Sequence, residues 1–359
     1  MQNTMKLNLY KNKLVLLTGD TGFKGSWLSM ALLHLGANVN GYALPALKKS
    51  HFHACGLSQK IHHTDADIRD LGRLKKAMLK AKPTFVFHLA AQPLVLESYQ
   101  KPRDTFDVNV MGTLNVLEAI RATPSVKACV IITTDKVYEN PENQYPFPEN
   151  SPLGGHDPYS ASKAGAEIVT QSYFRSFFQE KNKAAIATAR AGNVMGGGDW
   201  AMNRIVPDCI RSLQTKKPIL LRHPESVRPW QHVLEPLHGY LLLGAALADE
   251  GKEYSGAWNF GPLASQAKTV EELAKTIIAE WGCGDIQTAA RRTAPHEARY
   301  LRLNSNKAHE RLKWKPVLGF KKTVQQTVLE YREMDQLSSA DLFRSRIDTI
   351  RHYFTACKL

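Results

Sequence analysis

The chain has 359 residues, 43% apolar and 22% charged, the balance of a folded globular protein with room for two domains and unlike that of a disordered chain. Its five cysteines, Cys55, Cys129, Cys209, Cys283 and Cys357, are scattered without a C-x-x-C pair, which argues against a disulfide framework or zinc site and for a reducing compartment. The formal net charge of +14 favours anionic partners, but the basic residues are spread along the chain without zinc-finger spacing or an aromatic RNA-binding motif, so small phosphorylated ligands are expected and nucleic acid is not.

The first apolar run, Leu14 to Leu17, is a short strand suited to burial on both faces. It runs straight into a glycine turn, so no signal peptide is expected. The turn is Thr18-Gly19-Asp20-Thr21-Gly22-Phe23-Lys24-Gly25, after which Trp27, Leu28, Ala31, Leu32 and Leu35 recur with helical spacing. Strand, glycine turn and helix in that order suit a dinucleotide pyrophosphate, because glycines at 19, 22 and 25 permit close backbone approach and the helix start offers amide donors.

The second strand, Gly36 to Ala43, ends without the acidic residue that often bonds an adenosine ribose, and Ala43-Leu44-Pro45 stands there instead. Lys48 and Lys49 follow, open either to a 2′-phosphate or to solvent. His51, His53, His62 and His63 lack cysteine or carboxylate partners at ligand spacing, and no metal is expected. Asp65 to Asp70 closes the third strand, with Asp67 and Ile68 placed towards the adenine, and Thr84 to Leu89 forms a fourth that ends at the small residues Ala90 and Ala91 before Gln92-Pro93.

A helix is expected over Thr105 to Ile120, with Asn109 as a structural hydrogen-bonding group, and a fifth strand over Ala128 to Ile132. That strand delivers Thr133-Thr134-Asp135-Lys136 at its C-terminal end, the place where ligands collect in open parallel sheets. Asp157 caps a helix begun by Pro158, putting Tyr159 and Lys163 four apart on one face. A hydroxyl, a carboxylate, two amines and a phenol thus converge as a set of proton-handling groups.

Beyond a sixth strand, Ala184 to Arg190, the α/β alternation breaks. Asn193 to Trp200 includes three successive glycines without the Lys-Ser/Thr of a P-loop; with Arg204, Arg222 and Arg228 nearby it is expected to hold a second phosphorylated ligand. Arg228 to Glu235 leads into an apolar helix around Tyr240 to Ala248, too short for the ~20 residues of a bilayer span, so no membrane partner and a cytoplasmic protein are expected. A strand over Ala257 to Phe260 and a capping box at Thr269 to Glu272 before a helix to Trp281 follow.

The glycine turn with Tyr159-x-x-x-Lys163 resembles the extended short-chain dehydrogenase/reductase family, over essentially the whole chain. Within that family Thr134-Asp135-Lys136, Arg190 to Val194 with Gly196 to Trp200, and Arg228 to Pro236 are similar to the sugar-nucleotide 4,6-dehydratases. The resemblance implies an α/β fold, a Rossmann-like doubly wound parallel sheet with a smaller mixed α/β C-terminal substrate domain. Residues 1–190, joined by 230–260, would bind the cofactor, and 191–229 with 261–359 the nucleotide-sugar.

It further implies NAD as cofactor, CDP-glucose as substrate, and a homodimer or homotetramer. The implied cofactor contacts are Gly19, Thr21, Gly22, Phe23, Lys24, Gly25, Asp67, Ile68, Leu89, Ala90, Ala91, Tyr159 and Lys163. Gln92, Asn193, Arg204, Arg228, His232 and Tyr300 are assigned to the substrate. Thr134, Tyr159 and Lys163 would serve oxidation at C4, with the Tyr159 phenol pKa lowered by Lys163 and the nicotinamide charge; Asp135 as acid and Lys136 as base would serve elimination across C5 and C6. Asp20 stands where the family carries a histidine, a carboxylate repulsive to a pyrophosphate unless it points away. An epimerase or reductase on a related nucleotide-sugar, or a non-catalytic dinucleotide sensor, are the alternative readings.

Overall fold

A computed structural model describes residues 6–141, 145–180, 182–288 and 300–357. Its thirteen strands are β1 (Leu14–Thr18), β2 (Asn38–Ala43), β3 (His62–Asp65), β4 (Phe85–His88), β5 (Ala128–Ile132), β6 (Ala185–Ala191), β7 (Val194–Met195), β8 (Ile219–Leu221), β9 (Val227–Pro229), β10 (Gln231–His232), β11 (Gly256–Phe260), β12 (Ala267–Thr269) and β13 (Ile286–Thr288). Seven form one parallel sheet in the order β11-β6-β5-β4-β1-β2-β3. The order reverses between β1 and β4, and that switch point is where such sheets open a crevice.

The apolar strands owe their runs to burial on both faces. Val15, Leu17, Phe85, Phe87 and Val130 enter one core, while the alternating Leu16, Val86, Cys129 and Ile131 enter the other. The principal helices are α1 (Phe23–His34), α2 (Gly112–Arg121), α3 (Pro158–Phe177), α4 (Ile205–Gln214), α5 (Leu234–Asp249), α6 (Val270–Trp281), α7 (Phe320–Gln336) and α8 (Ser339–Ala356). Both α1 and α5 are buried nearly all round, so neither shows a polar stripe. A third core of Met195, Ile210, Leu221, Trp230, Leu273 and Tyr331 lies among the elements from β7 onward.

The helix expected over Thr105 to Ile120 begins at Pro102 and contains a π-helical turn, Asp107–Met111, before α2. The wider turn turns Asn109 inward, where its amide accepts from Gln92 N at 2.9 Å and donates to Ser162 Oγ at 2.8 Å. Asp157 caps α3 by accepting from Ser160 N, and Thr269 with Glu272 completes the expected capping box.

The glycine-rich loop differs from its expected role as a phosphate cradle. Gly196 to Gly198 are buried, and a Cβ on Gly197 would lie 2.5 Å from Glu330 Cβ, one on Gly198 2.3 Å from His51 Cγ. Glu330 Oε2 accepts from Gly197 N at 2.7 Å and the Trp27 indole donates to Gly197 O at 3.0 Å. The small residues let the loop fit between α1 and α7, and the Gly197 amide is spent on a protein partner. Gly198 also has φ +90°. Gly198→Ala therefore combines overpacking with backbone strain, and we expect a loss of about 2–4 kcal/mol, read from urea unfolding; unchanged stability would contradict this packing.

Candidate active site

The glycine turn is shaped by what presses on it. Gly19 has φ +76° and donates its N–H to Tyr42 O at 3.0 Å; a Cβ there would lie 2.6 Å from Ala90 N. The turn thus rests directly on the Leu89–Ala90 backbone beyond β4, and the half-buried Leu89, Ala90 and Ala91 share its surroundings. At Gly25 a Cβ would lie 2.0 Å from Gly19 O, so only glycine lets α1 start this close to the turn. Gly22 is exposed at the helix N-cap, with Phe23 and Lys24 in the first turn. Thr21 turns outward to donate to Leu44 O at 3.0 Å.

Asp20 points away from the turn's open side. Its carboxylate is fully buried over Gly41 of β2 and lies 2.7 Å from His63 Nδ1. Asp67 and Ile68 are less available than expected: Arg69 grips the Asp67 carboxylate and holds its pKa down, and the Ile68 side chain is buried against Gly112.

Beyond β5 the proton-handling groups lie together. Thr134 is buried, donates to Asp135 Oδ1 at 3.0 Å, and stands near enough to the Tyr159 phenol to pull its pKa down. Asp135 is buried, its Oδ2 2.8 Å from where a Cβ on Gly192 would stand, and burial raises its pKa while Lys136, Thr134, Arg228 and Lys24 pull it down. Lys163 is buried and donates to Ile132 O at 3.1 Å; burial lowers its amine to about 8 against the pull of Glu167. Lys24, whose Nζ lies 3.5 Å from the Tyr240 hydroxyl, is likewise lowered to about 8 by burial, by Arg204 and by Lys163. Lys136 is half-buried on the turn after β5.

The expected lowering of the Tyr159 phenol is not a property of the protein alone. Burial pushes it up to about 12, opposed by Thr134 and the Arg204 charge. A dry site favours the neutral phenol until a cation is brought beside it.

The residues expected to hold substrate fall into two groups. Arg204 belongs to the site: it is tied to Asp199 Oδ2 at 3.0 Å, and its charge acts on both Lys24 and Tyr159. Arg228 is buried, donates to Val227 O at 2.8 Å, and its charge acts on Asp135. Asn193 is half-buried beside Gly192, and Tyr300, also half-buried, accepts from Asn140 through its backbone oxygen at 2.9 Å.

Gln92 and His232 do not fit the assignment. The Gln92 amide donates to Leu94 O and Thr105 Oγ1 and accepts from Leu94 N, so it staples its own loop. His232 is fully buried, with Nε2 3.1 Å from Glu330 Oε1 and Nδ1 accepting from Leu234 N at 3.4 Å. Both of its nitrogens are engaged by protein, Nε2 tying β10 to α7 and Nδ1 the start of α5.

Several supporting residues escape a local reading. Glu167, one turn beyond Lys163, is buried and accepts from Thr133 Oγ1 at 2.5 Å, Thr188 Oγ1 at 2.6 Å, and Arg190 Nε and Nη2 at 2.9 Å each. Arg190 also donates to the Tyr138 hydroxyl at 2.7 Å, which donates to Asn259 Oδ1 of β11 at 2.8 Å. The available signal was a glutamate four residues after Lys163 on the same helical face.

A glycine turn at the switch point of a doubly wound sheet, facing Thr134, Tyr159 and Lys163 at the end of β5, defines a dinucleotide-binding protein with the layout of the extended short-chain dehydrogenases/reductases. Residues 16–327 match the family described as GDP-mannose 4,6 dehydratase, and the chain belongs to it. It is 44% identical over 322 residues to the CDP-glucose 4,6-dehydratase of Salmonella typhimurium, a match spanning 88% of this chain and 90% of that one. The dTDP-glucose 4,6-dehydratase of Haemophilus influenzae is 26% identical over 338 residues, 88% of this chain and 97% of its own. Among solved structures, the UDP-glucose 4-epimerase of Thermus thermophilus in complex with NAD superposes with TM-score 0.75 at 27% identity, over 89% of this chain and 99% of that one.

Glu167→Gln leaves the buried Arg190 guanidinium without its counter-charge. We expect a loss of about 3–5 kcal/mol in chemical denaturation, whereas wild-type stability in the variant would mean that the pair does not organise this region.

Proposed function

We propose that the protein is a lyase that dehydrates CDP-glucose to CDP-4-keto-6-deoxyglucose, with NAD as a redox group recycled within each turnover. The observation that carries this reading is the buried Asp135 carboxylate, with its raised pKa, held by the Thr134 hydroxyl that also acts on Tyr159. The 44% identity with a CDP-glucose 4,6-dehydratase supports the substrate. The positive φ of Gly19, the absence of room for a Cβ at Gly19 and Gly25, and the start of α1 at Phe23 fit a dinucleotide pyrophosphate.

Neither C5–H nor the 6-hydroxyl of a hexose is reactive until C4 is a ketone. NAD, when bound, supplies the redox chemistry at C4 and C6. Tyr159 takes the 4-hydroxyl proton, Thr134 orients that oxygen, and the charge of Lys163 favours the phenolate. Lys136 takes the C5 proton, and Asp135 protonates the departing 6-hydroxyl, a task suited to a carboxyl whose pKa burial has raised. Arg204, Arg228 and Asn193 face the nucleotide-sugar. An epimerase would not need both an acid for O6 and a base for C5.

In this reading residues 1–190 with 230–260 carry the cofactor and 191–229 with 261–359 the nucleotide-sugar. Two copies pair in the cytoplasm through the helices over 102–121 and α3, where Phe106, Met111, Ile168 and Phe177 are exposed. Among the described residues no helix is long and apolar enough to cross a membrane.

Incubation with CDP-glucose and NAD is expected to yield a 4-keto sugar detected by its absorbance in alkali, with dTDP-glucose, UDP-glucose and GDP-mannose turned over at least about tenfold more slowly. Turnover of one of these in place of CDP-glucose would overturn the substrate assignment. Tyr159→Phe is expected to abolish hydride transfer while keeping nucleotide-sugar binding within a few fold. Lys136→Ala is expected to allow C4 oxidation and stall before elimination, seen as accumulated reduced cofactor in a single turnover; full turnover would refute its role as base.

A further inference from the structure

Asp20 belongs to the glycine turn in sequence but turns its carboxylate inward, away from the open side, where a buried charge needs a counter-charge. Asp20 is fully buried, and a Cβ on Gly41 would lie 2.1 Å from its Oδ2, so the group is pressed onto the backbone of β2. Oδ1 is also buried and takes no hydrogen bond among the described residues. Direct compensation of the Asp20 charge therefore falls on His63 of β3, whose Nδ1 lies 2.7 Å from Oδ2.

The other ring nitrogen also has a carboxylate beside it. His63 Nε2 lies 2.9 Å from Asp65 Oδ1. A neutral imidazole carries a single N–H and could donate to only one ionised carboxylate, so with Asp20 and Asp65 both ionised the two contacts call for the imidazolium. The groups packed on this ring are Asp20 from the glycine turn, Asp65 from its own strand, and the Phe52 ring from the short helix His51–Ala54, with centroids 5.3 Å apart.

We propose that His63 is a positioning residue for dinucleotide binding, held as an imidazolium between Asp20 and Asp65 so that the glycine turn keeps its shape and offers a neutralised floor to an anionic pyrophosphate. The inference rests on the NAD reading above. The hydrogen bond that His63 donates to Asp20 raises the His63 pKa against the opposing effect of burial, and the Asp20 charge and Asp65 add to the rise. The clamp is therefore complete at and below the ordinary histidine range and is lost as pH rises through the raised value. Past that point one carboxylate loses its donor, and the Asp20 charge, buried on β2 behind the turn, is left uncompensated beneath the ligand's own.

Calorimetric titration of NAD across roughly pH 6 to 9 tests this on wild type, His63→Gln, Asp20→Asn and the double variant. Lys24 and Lys163 also lose protons near pH 8, but all four proteins share them. The informative quantity is the ratio of each Kd to that of Asp20→Asn. We expect this ratio to rise about tenfold with pH for wild type and to be high and flat for His63→Gln. In the double variant, removing the Asp20 charge should restore binding to near that of Asp20→Asn alone. A wild-type ratio that is flat with pH, or a double variant as weak as His63→Gln, overturns the proposal. Wild type that binds no NAD at any pH defeats the cofactor reading as well, so the two failures are distinguishable. Thermal unfolding of each variant confirms that it is folded under the titration conditions.

Discussion

The ion pair between Glu167 and Arg190 is the constraint to which the site is tied. A carboxylate buried among strand ends is tolerable only when its lone pairs are filled, and here two threonine hydroxyls and a guanidinium fork fill them. Those donors come from β6 and from the residue just after β5, while Glu167 comes from α3. The pair thus sets how α3 lies against the sheet, and with it where Tyr159 and Lys163 stand relative to Thr134 and Asp135. Replacing it by apolar residues of equal volume would preserve packing but surrender the directional bonds that fix this register.

Low polarity beside that pair accounts for the electrostatics of the site. Burial raises the Asp135 carboxyl and lowers the amines of Lys24 and Lys163, drawing an acid and two bases from opposite ends of the scale towards neutral pH. It also keeps Tyr159 protonated in the protein alone, so the phenol's acidity depends on charge brought in by ligands. A second buried cluster holds the opposite wall. Glu330 joins His232 and Gly197, while Arg346 of α8 reaches the Glu330 backbone, His51 and Glu333 and covers the Trp27 ring. The two C-terminal helices thereby lock α1 and the loop preceding Arg204 in place.

Much of this architecture was legible in the chain. The strands around Leu14 to Leu17 and Ala128 to Ile132, the glycine turn, the cap at Asp157 and the capping box at Thr269 are written in short-range patterns, and the structure holds each of them. So was the convergence of Thr134, Asp135, Tyr159 and Lys163, because strand ends and helix starts in a parallel sheet share one edge. Gln92, His232 and the three glycines from 196 were read towards ligands and face protein instead. Gln92 is taken up by its near neighbours Leu94 and Thr105, but for the other two the deciding partner is remote: His232 meets Glu330 98 residues away, and Gly197 meets it across 133.

Sequence by itself therefore determined the elements and their order, since strand period, helix period and glycine freedom act within a few residues. Only the tertiary structure decided which polar groups remain for a ligand. A buried donor or acceptor must find a partner, and whether that partner is protein or substrate depends on which distant segment arrives beside it. Asp20 shows the difference most directly. Its place in the turn made it a repulsive charge, and the arrival of His63 from β3 gives its buried carboxylate a partner 2.7 Å away.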